Sequence, residues 1–254
     1  MKTVLSSEWL KLRSVTSTFH TIGAAALTVL LGIVWTLYVA ALADERGTLR
    51  AAAPEQGFLP LVQMSLALLG VLAITSEYAT GMIRTALITV PRRSTLFLSK
   101  AGIVAAVTFV AANVILFLTY ATSRLLANGH HLGFNQVSFT DGLPMLLASG
   151  LSVSALALVG LGLGTAMRST AGAIMSVVAL LFVLPGVATY LPAPWNTRIA
   201  TFLLPNLVPQ MAGQRLSSRL GEGLLPPWAA LLVLLAYPLV ALTVGYYQLK
   251  RRDA

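Results

Sequence analysis

The chain contains no cysteine and few charged residues. Of its 254 residues, 10% are charged and 57% are hydrophobic, whereas soluble domains average about 25% charged and about 45–50% apolar residues. Without cysteine, the chain can form no disulfide, no thiolate metal site and no lipid-modified cysteine anchor. The composition is that of a membrane protein rather than of an ordinary soluble domain.

The scarcity of charge leaves long stretches of the sequence without any. Six windows lack Asp, Glu, Lys and Arg: residues 14–43, 56–76, 101–123, 142–167, 169–197 and 223–249. A helix needs about 20 mostly apolar residues to cross the hydrocarbon core, and a charge at its centre costs about 2.5–3.5 kcal/mol. Each window is long enough. The sequence therefore predicts an all-α polytopic membrane protein with six transmembrane helices.

These helices are expected within a single transmembrane domain that covers residues 1–254. Their predicted ranges are 19–42, 58–75, 101–123, 143–166, 170–190 and 228–249. The stretch from residue 191 to 227 is rich in proline, which breaks regular helix, and its apolar pieces are too short to cross. We expect short re-entrant helices there, dipping into the outer leaflet before the sixth helix.

The Lys and Arg residues between the windows indicate the orientation. If the N-terminus is cytoplasmic, most of them are cytoplasmic too, and inverting the chain reverses this bias. Arg198, Arg215 and Arg219, in the last outer loop, go against the rule. We expect a multi-pass protein of the cell membrane with both termini in the cytoplasm. This placement accounts for the net charge of +9 without a nucleic-acid partner.

Residues 1–17 do not span the membrane, but they are patterned. Apolar residues recur there at a spacing of three to four, which indicates a short helix lying in the interface against membrane lipids. Trp9 would lie at headgroup depth. Glu8 falls inside the apolar stripe, where it either pairs with Lys11 one turn on or meets a basic group elsewhere in the protein.

The fourth predicted helix contains closely spaced glycines. Gly160 and Gly164 form a GxxxG pair, and small residues at this spacing let helices in lipid approach closely. Packing within the fold is the favoured interpretation, and flexibility for gating is the alternative.

The loop after the third helix carries Asn128, His130 and His131. Adjacent histidines chelate one metal poorly, and no Cys, Asp or Glu lies close in the sequence. We therefore expect a solvated loop rather than a metal site.

Residues 77–93, between the second and third helices, form an amphipathic segment. A helical wheel places one set of residues on its polar face: Glu77, Thr80, Gly81, Arg84 and Thr85. Pro91 would end the helix because proline cannot donate to the helical ladder, and Arg92 and Arg93 give it a basic end. Two interpretations stay open: an interfacial connector held by lipid headgroups, or a docking surface for a cytoplasmic partner.

The sequence lacks the motifs of common enzyme and transporter sites. It contains no GxxxxGK[ST] phosphate loop, no HExxH pair and no Ser/His/Asp set. No predicted helix carries an acidic or basic residue at its centre, which argues against a proton- or sodium-coupled transporter. We expect no enzyme activity, no cofactor and no metal in this chain.

Several short motifs, each weak alone, occur in an order that resembles a known family. They are Ser7-Glu8-Trp9-Leu10-Lys11-Leu12-Arg13-Ser14, Ser76-Glu77-Tyr78-Ala79-Thr80-Gly81-Met82-Ile83-Arg84, Pro91-Arg92-Arg93 ahead of Lys100, Leu203-Leu204-Pro205-Asn206 and the final Arg251-Arg252-Asp253-Ala254. Over essentially the whole chain, their order and spacing are similar to those of permease subunits of type-two ATP-binding cassette (ABC) exporters, in the actinobacterial form.

The resemblance implies a six-helix permease with an N-terminal elbow helix, a coupling helix between helices two and three, and re-entrant helices before helix six. It also implies that two permease copies, expected here as a homodimer, pair with two separate ATP-binding subunits that hydrolyse ATP. Glu8 and Trp9 would belong to the elbow helix. The coupling region that touches the ATPase would include Glu77, Gly81, Arg84, Arg92 and Arg93.

Two other functions remain open from the residues alone. The chain could be a membrane-embedded structural or assembly protein, or a self-standing channel that needs no ATPase. Co-purification of an ATP-hydrolysing subunit would separate the exporter from both. A pathway lined by Leu, Val, Ala, Thr, Ser and aromatic residues, without buried charge, suits amphiphilic or lipid-like cargo better than ions or sugars.

Overall fold

Among the residues that the structure describes, six helices are long and apolar enough to cross a membrane. They are α1 (Thr16–Arg46), α3 (Leu59–Ala79), α5 (Arg93–Leu126), α6 (Phe139–Met167), α7 (Thr170–Thr189) and α10 (Pro227–Arg251). Within the described ranges, four shorter α-helices lie between them: α2 (Pro54–Gly57), α4 (Met82–Thr89), α8 (Trp195–Phe202) and α9 (Leu204–Met211). The prediction of an all-α polytopic architecture is confirmed.

The computed structural model describes residues 6–7, 9–10, 16–46, 50–89, 93–127, 129–130, 132–213 and 225–251. Helices make up 88% of the structure, and no strand occurs within these ranges.

The spanning helices are longer than the charge-free windows. α1 ends at Arg46 rather than at residue 42, and α5 begins at Arg93 rather than at residue 101. With 34 residues, α5 is about 50 Å long at 1.5 Å per residue, whereas the hydrocarbon core is about 30 Å thick. The ends of these helices therefore carry charges, which the window criterion excluded.

Helix α6 lies at the centre of the bundle. In its most apolar stretch 78% of the residues are buried, against 22% in α7. Gly160 and Gly164 face α3: a Cβ atom at Gly160 would lie 2.8 Å from the carbonyl oxygen of Ala67, and one at Gly164 would lie 2.9 Å from Cγ2 of Ile74. Backbone contact between α3 and α6 therefore requires both glycines.

A second glycine contact lies on the other side of α6. A Cβ atom at Gly245 of α10 would lie 2.7 Å from the carbonyl oxygen of Gly162. Close approach on two faces places α6 between α3 and α10, and dispersion between closely packed backbones is a main source of helix association in lipid.

Hydrogen bonds made by polar side chains also hold α6 in place. Gln63 of α3 donates from Nε2 to Oγ of Ser152 at 3.0 Å, and Ser154 donates from Oγ to the carbonyl oxygen of Ala105 in α5 at 3.1 Å. Such bonds are satisfied within the protein because lipid offers no alternative partner.

Helix α7 lies at the periphery and contains a π-helical segment, Ala179–Val183. Pro185 lies two residues after the end of this segment. A proline ring clashes with the carbonyl group one turn back in a regular α-helix, and the wider π turn gives that carbonyl room. The outward side of α7 exposes large apolar side chains such as Phe182 and Val187, as a lipid-facing helix should.

Residues 191–213 contain the short helices α8 and α9, which Gln210 ties together. Its Nε2 donates to the carbonyl oxygens of Thr201 at 2.9 Å and Asn206 at 2.7 Å, and its Oε1 accepts from the backbone N–H of Leu225 at 2.9 Å. Residues 214–224 of the predicted outer loop lie outside the described residues.

The bundle has two distinct ends. We call the end formed by residues 73–89, 93–103, 164–170 and 245–251 the proximal end, and the end formed by residues 39–46, 50–58, 120–127 and 132–149 the distal end. Trp9, from the predicted elbow helix, lies with Leu10 and Ile103 around an open groove near the proximal end and is 51% exposed. Glu8 lies outside the described residues.

Candidate functional site at the proximal end

The segment between the second and third spanning helices is not one helix. The sequence predicted a continuous amphipathic helix from residue 77 to Pro91, but α3 extends to Ala79, and α4 begins only at Met82. Between them Gly81 has φ +70°, the left-handed region that glycine adopts without the Cβ penalty. A Cβ atom there would meet nothing within 4 Å, so conformation rather than crowding requires glycine.

The extension of α3 turns Glu77 into the bundle. Glu77 is 4% exposed, and its Oε1 lies 2.9 Å from Nζ of Lys100 in α5. Lys100 also donates to the carbonyl oxygen of Ala73 at 3.0 Å. The prediction that Glu77 presents itself on an exposed polar face is therefore wrong: this carboxylate joins α3 to α5.

Arg93 is also placed differently from the prediction. It is the first residue of α5, and its Nη1 donates to the carbonyl oxygens of Leu249 at 2.7 Å and Lys250 at 3.3 Å. These carbonyls end α10, where the helix dipole favours a cation. The rings of Phe97 and Tyr246 lie 5.9 Å apart nearby. The hydrogen bonds from Arg93 therefore link the start of α5 to the end of α10.

The turn between α6 and α7 completes this network. Arg168, in that turn, has φ +53°, and its guanidinium lies 5.2 Å from the centre of the Tyr78 ring near the end of α3. A cation over an aromatic face is attracted by the ring quadrupole. Five spanning helices therefore meet around residues 77, 78, 93, 100 and 168, which we call the proximal network.

Helix α4 packs beside this network, and only part of its surface is buried. Ile83 is 3% exposed and packs with Ile74, Ala101 and other apolar residues of the bundle. Met82 and Ile88 are exposed, Ile88 by 81%. Ile83 anchors α4, while Met82 and Ile88 face outward, so that α4 can contact either the membrane interface or another protein.

The proximal network lies in a part of the chain that matches a known family. The family model described as "Protein of unknown function (DUF2705)" matches residues 47–254, which is most of the chain. The chain belongs to the DUF2705 family. The match includes five of the six spanning helices, α4 and the whole proximal network. No curated protein matches the chain.

In this DUF2705 chain, the predicted coupling residues do not form one surface. Glu77 and Arg93 are bound within the proximal network, whereas Gly81 is exposed at the start of α4. Arg84 lies in α4, but its side chain is outside the described part of the structure, as is Arg92.

Sequence reasoning missed Lys100 as the partner of Glu77. A signal was present, because Glu77 directly follows one charge-free window and Lys100 directly precedes the next. In an antiparallel helix pair these two positions lie at the same depth. Arg168 and Tyr78 gave no comparable signal, since the contact depends on the left-handed turn at Arg168.

At the distal end, the loop that the sequence predicts to be solvated makes a contact with the end of α1. Nε2 of His130 lies 3.2 Å from Oδ1 of Asp44, an acid that is remote in sequence and is brought close because α1 extends to Arg46. Across the described ranges, no group of three or more His, Asp or Glu residues is arranged to hold a metal ion. Asn128 and His131 lie outside the described residues.

Proposed function

We propose that the chain is the permease subunit of an ATP-driven ABC exporter, and that α4 is its docking helix for a separate ATP-binding subunit. The observation that carries the proposal is the arrangement at the proximal end. A short, exposed helix is attached at Gly81 and Ile83 to a buried network that joins several spanning helices. The order of sequence motifs supports the same function.

The proposed coupling is mechanical. A force on α4 would reach α3 directly through the turn at Thr80 and Gly81. The Glu77–Lys100 pair would pass it to α5, and the bonds from Arg93 would pass it to α10. Packed helices move as units because their interiors are close to crystal density, so nucleotide-driven motion of the partner would shift several spanning helices together.

The proposed orientation places the proximal end in the cytoplasm, where ATP is available. Six basic residues within the described ranges lie at or near this end: Arg84, Arg93, Lys100, Arg168, Lys250 and Arg251. Positive residues are enriched on the cytoplasmic side of membrane proteins. Ile88→Cys at the proximal end should then resist an impermeant thiol reagent in intact cells, whereas Val137→Cys at the distal end should react. The opposite labelling would overturn the orientation.

We further propose that two copies pair around the pathway. α1 and α7 are among the less buried spanning helices, with 33% and 22% of their most apolar stretches covered, so a second copy has apolar surface to contact. The family resemblance points to the first helix and the start of the fifth. The apolar residues expected to line that pathway favour an amphiphile as the cargo.

The test is purification of the protein from its native membrane, followed by assay of ATP hydrolysis and identification of the partner chains. We expect an associated subunit that hydrolyses ATP. Gly81→Leu and Arg84→Glu should insert normally but lose that subunit, because both alter α4 and neither alters a spanning helix. Gly57→Leu is the control, since its Cβ would meet nothing within 4 Å and it lies at the distal end, away from α4.

If the chain is instead a structural protein or a self-standing channel, a different result is expected. No ATP-hydrolysing subunit would be recovered with the wild-type protein, or both α4 variants would keep it. Either outcome would contradict the docking role of α4 and favour the connector interpretation.

A further inference from the structure

Polar side chains of the bundle find partners within the chain at several depths. At the distal end, Nη1 and Nη2 of Arg124 lie 3.0 and 2.8 Å from the two carboxylate oxygens of Glu55. This pair forms one wall of a cavity of about 230 Å³, and the guanidinium lies 3.9 Å from the centre of the Tyr120 ring. Gln63 of α3 is 1% exposed and donates to Ser152 of α6. All of these contacts are internal to the bundle.

The side-chain amide of Asn113 in α5 is different. Its Nδ2 donates to the carbonyl oxygen of Phe109 at 2.8 Å, one turn back along the same helix, and this bond is exposed. An amide has a second N–H and an oxygen with two lone pairs. Asn113 makes no other hydrogen bond with the described residues, so one donor and the acceptor remain available on the surface of the bundle.

Asn113 lies at the depth where hydrogen-bonding groups are scarcest. The charge-free window of α5 covers residues 101–123, and position 113 is one residue from its centre, which is about 1.5 Å along a helix. Lipid chains offer neither a donor nor an acceptor, so an amide exposed to them loses the hydrogen bonds that it would make in water. A partner that carries both groups at the same depth would restore them.

Gly150 of α6 makes room for this amide. A Cβ atom at Gly150 would lie 2.6 Å from Cγ of Asn113, which is well inside van der Waals contact. The amide therefore lies against the backbone of α6, in the crevice between α5 and α6. The contact with Gly150 and the bond to Phe109 together fix the position of its remaining donor and acceptor.

The exposed residues on this side of α5 have the spacing of a seam between two helices. Four residues, which we call the α5 seam, follow one another at steps of four, three and four: Ala106, Val110, Asn113 and Phe117. Ala106 is exposed, and Val110 and Phe117 are 61% and 48% exposed. Left-handed helix pairs have this spacing, in water and in membranes. A single Asn in such a seam fixes the register and the number of chains.

We infer that the α5 seam is a contact face for a second copy of the chain, in which the two Asn113 amides bond to each other. Copies inserted in the same direction carry Asn113 at the same depth. The remaining N–H of each amide can then donate to the oxygen of the other, which is the self-complementary contact that a two-fold axis requires.

This face is separate from the pairing proposed above through α1 and α7. Helix α1 packs on another side of α5, where a Cβ atom at Gly32 would lie 2.8 Å from Cγ2 of Thr119. The inference does not depend on the proposed export function, because it rests on α5 and α6 alone.

The test compares two neighbouring positions of α5 in the cysteine-free chain. Phe117→Cys places a thiol in the α5 seam. Leu118→Cys places one at nearly the same depth and with nearly the same exposure, 47%, but outside the seam. Each variant is oxidised in its native membrane with copper phenanthroline. We expect a disulfide-linked product of twice the chain mass to form about fivefold faster at position 117, because a helix turns by about 100° per residue.

Two further variants test the amide itself. Asn113→Leu in the Phe117→Cys background should slow the cross-link roughly three- to thirtyfold, which is the range that hydrogen bonds between membrane helices contribute to association. Asn113→Gln keeps an amide in the seam and should retain most of the cross-link.

The comparison of positions 117 and 118 keeps Asn113 unchanged, so it does not depend on folding of the leucine variant. Equal rates at the two positions, as chance collisions would give, would overturn the inference. A cross-link from position 117 to a different protein would overturn the assignment to a second copy. An undiminished cross-link in Asn113→Leu would show that the two amides do not pair.

Discussion

The two ends of the α3–α5 helix pair each hold an acid and a base, but they use them differently. At the proximal end Glu77 and Lys100 both lie within spanning helices, and each side chain is 6% exposed. At the distal end Glu55 comes from the single-turn helix α2 and Arg124 from the end of α5, with aromatic rings and a cavity beside them. The proximal pair joins two spanning helices directly, whereas the distal pair forms one wall of the cavity.

This difference follows from the two bases. Lysine is a compact point charge that suits one short contact between close helices, whereas the planar guanidinium of arginine binds a carboxylate with two bonds and stacks on rings. At the proximal end, which carries α4, the ion pair therefore connects helices rigidly. At the distal end, the ion pair shapes the surface of a cavity.

The largest effect is expected from Lys100→Met. It removes the base that faces the buried carboxylate of Glu77, and breaking a buried pair by removing one partner costs about 3–5 kcal/mol. The free energy of unfolding, measured by denaturant titration in detergent, should fall by that amount. Glu77→Leu combined with Lys100→Met should cost much less, because no charge is left behind. Equal losses of stability in the single and the double variant would show that the pair does not join the helices.

A smaller loss in the free energy of unfolding is expected when an added side chain pushes α3 and α6 apart at the proximal end. Gly164→Leu would place a side chain against Ile74 and Thr75, and overpacking costs about 1–3 kcal/mol. Gly102→Leu is the matched control on α5, since a Cβ there meets nothing within 4 Å. The same unfolding measurement should separate the two, and equal stability would mean that α6 is not packed as described.

At the distal end, Arg124→Lys should cost about 1–2 kcal/mol, because the charge remains but the paired bonds and the contact with Tyr120 are lost. A double-mutant cycle with Tyr120→Leu should show coupling between the two residues. Additive losses in this cycle would contradict the stacking of Arg124 on the ring.

The smallest change in stability is expected at Gly81. Gly81→Ala puts a Cβ atom on a residue with φ +70°, which costs about 1 kcal/mol, and α4 can relieve part of this by reorienting. Gly81→Asn should be milder, since asparagine tolerates the left-handed region. If alanine and asparagine behaved alike in unfolding experiments, the turn would not control α4.

The charge-free windows were sufficient to predict the class of fold and the approximate position of every spanning helix. They were not sufficient for the ends, because a helix longer than the hydrocarbon core continues into charged residues, as α5 does at Arg93. The same windows are bounded by Glu55, Glu77, Lys100 and Arg124, so both ion pairs could have been inferred from helix hairpin geometry.

The turn at Gly81 could not be predicted from the helical wheel. Residues 77–90 keep one amphipathic period across it, and a wheel assumes an unbroken helix. The contact of Arg168 with Tyr78 depends on a left-handed residue other than glycine, which sequence patterns do not indicate. The cavity at the distal end depends on how α2, α5 and α6 meet, which is a property of tertiary packing.

The docking role of α4 is tested most directly by cross-linking from its exposed face. Ile88→Cys, in the otherwise cysteine-free chain, is coupled in native membranes to whichever protein lies against α4, and the product is identified by mass spectrometry. We expect a chain that contains a GxxxxGK[ST] phosphate loop, and no such product from Val137→Cys at the distal end. No phosphate-loop protein at position 88, or the same protein at both positions, would contradict the proposal.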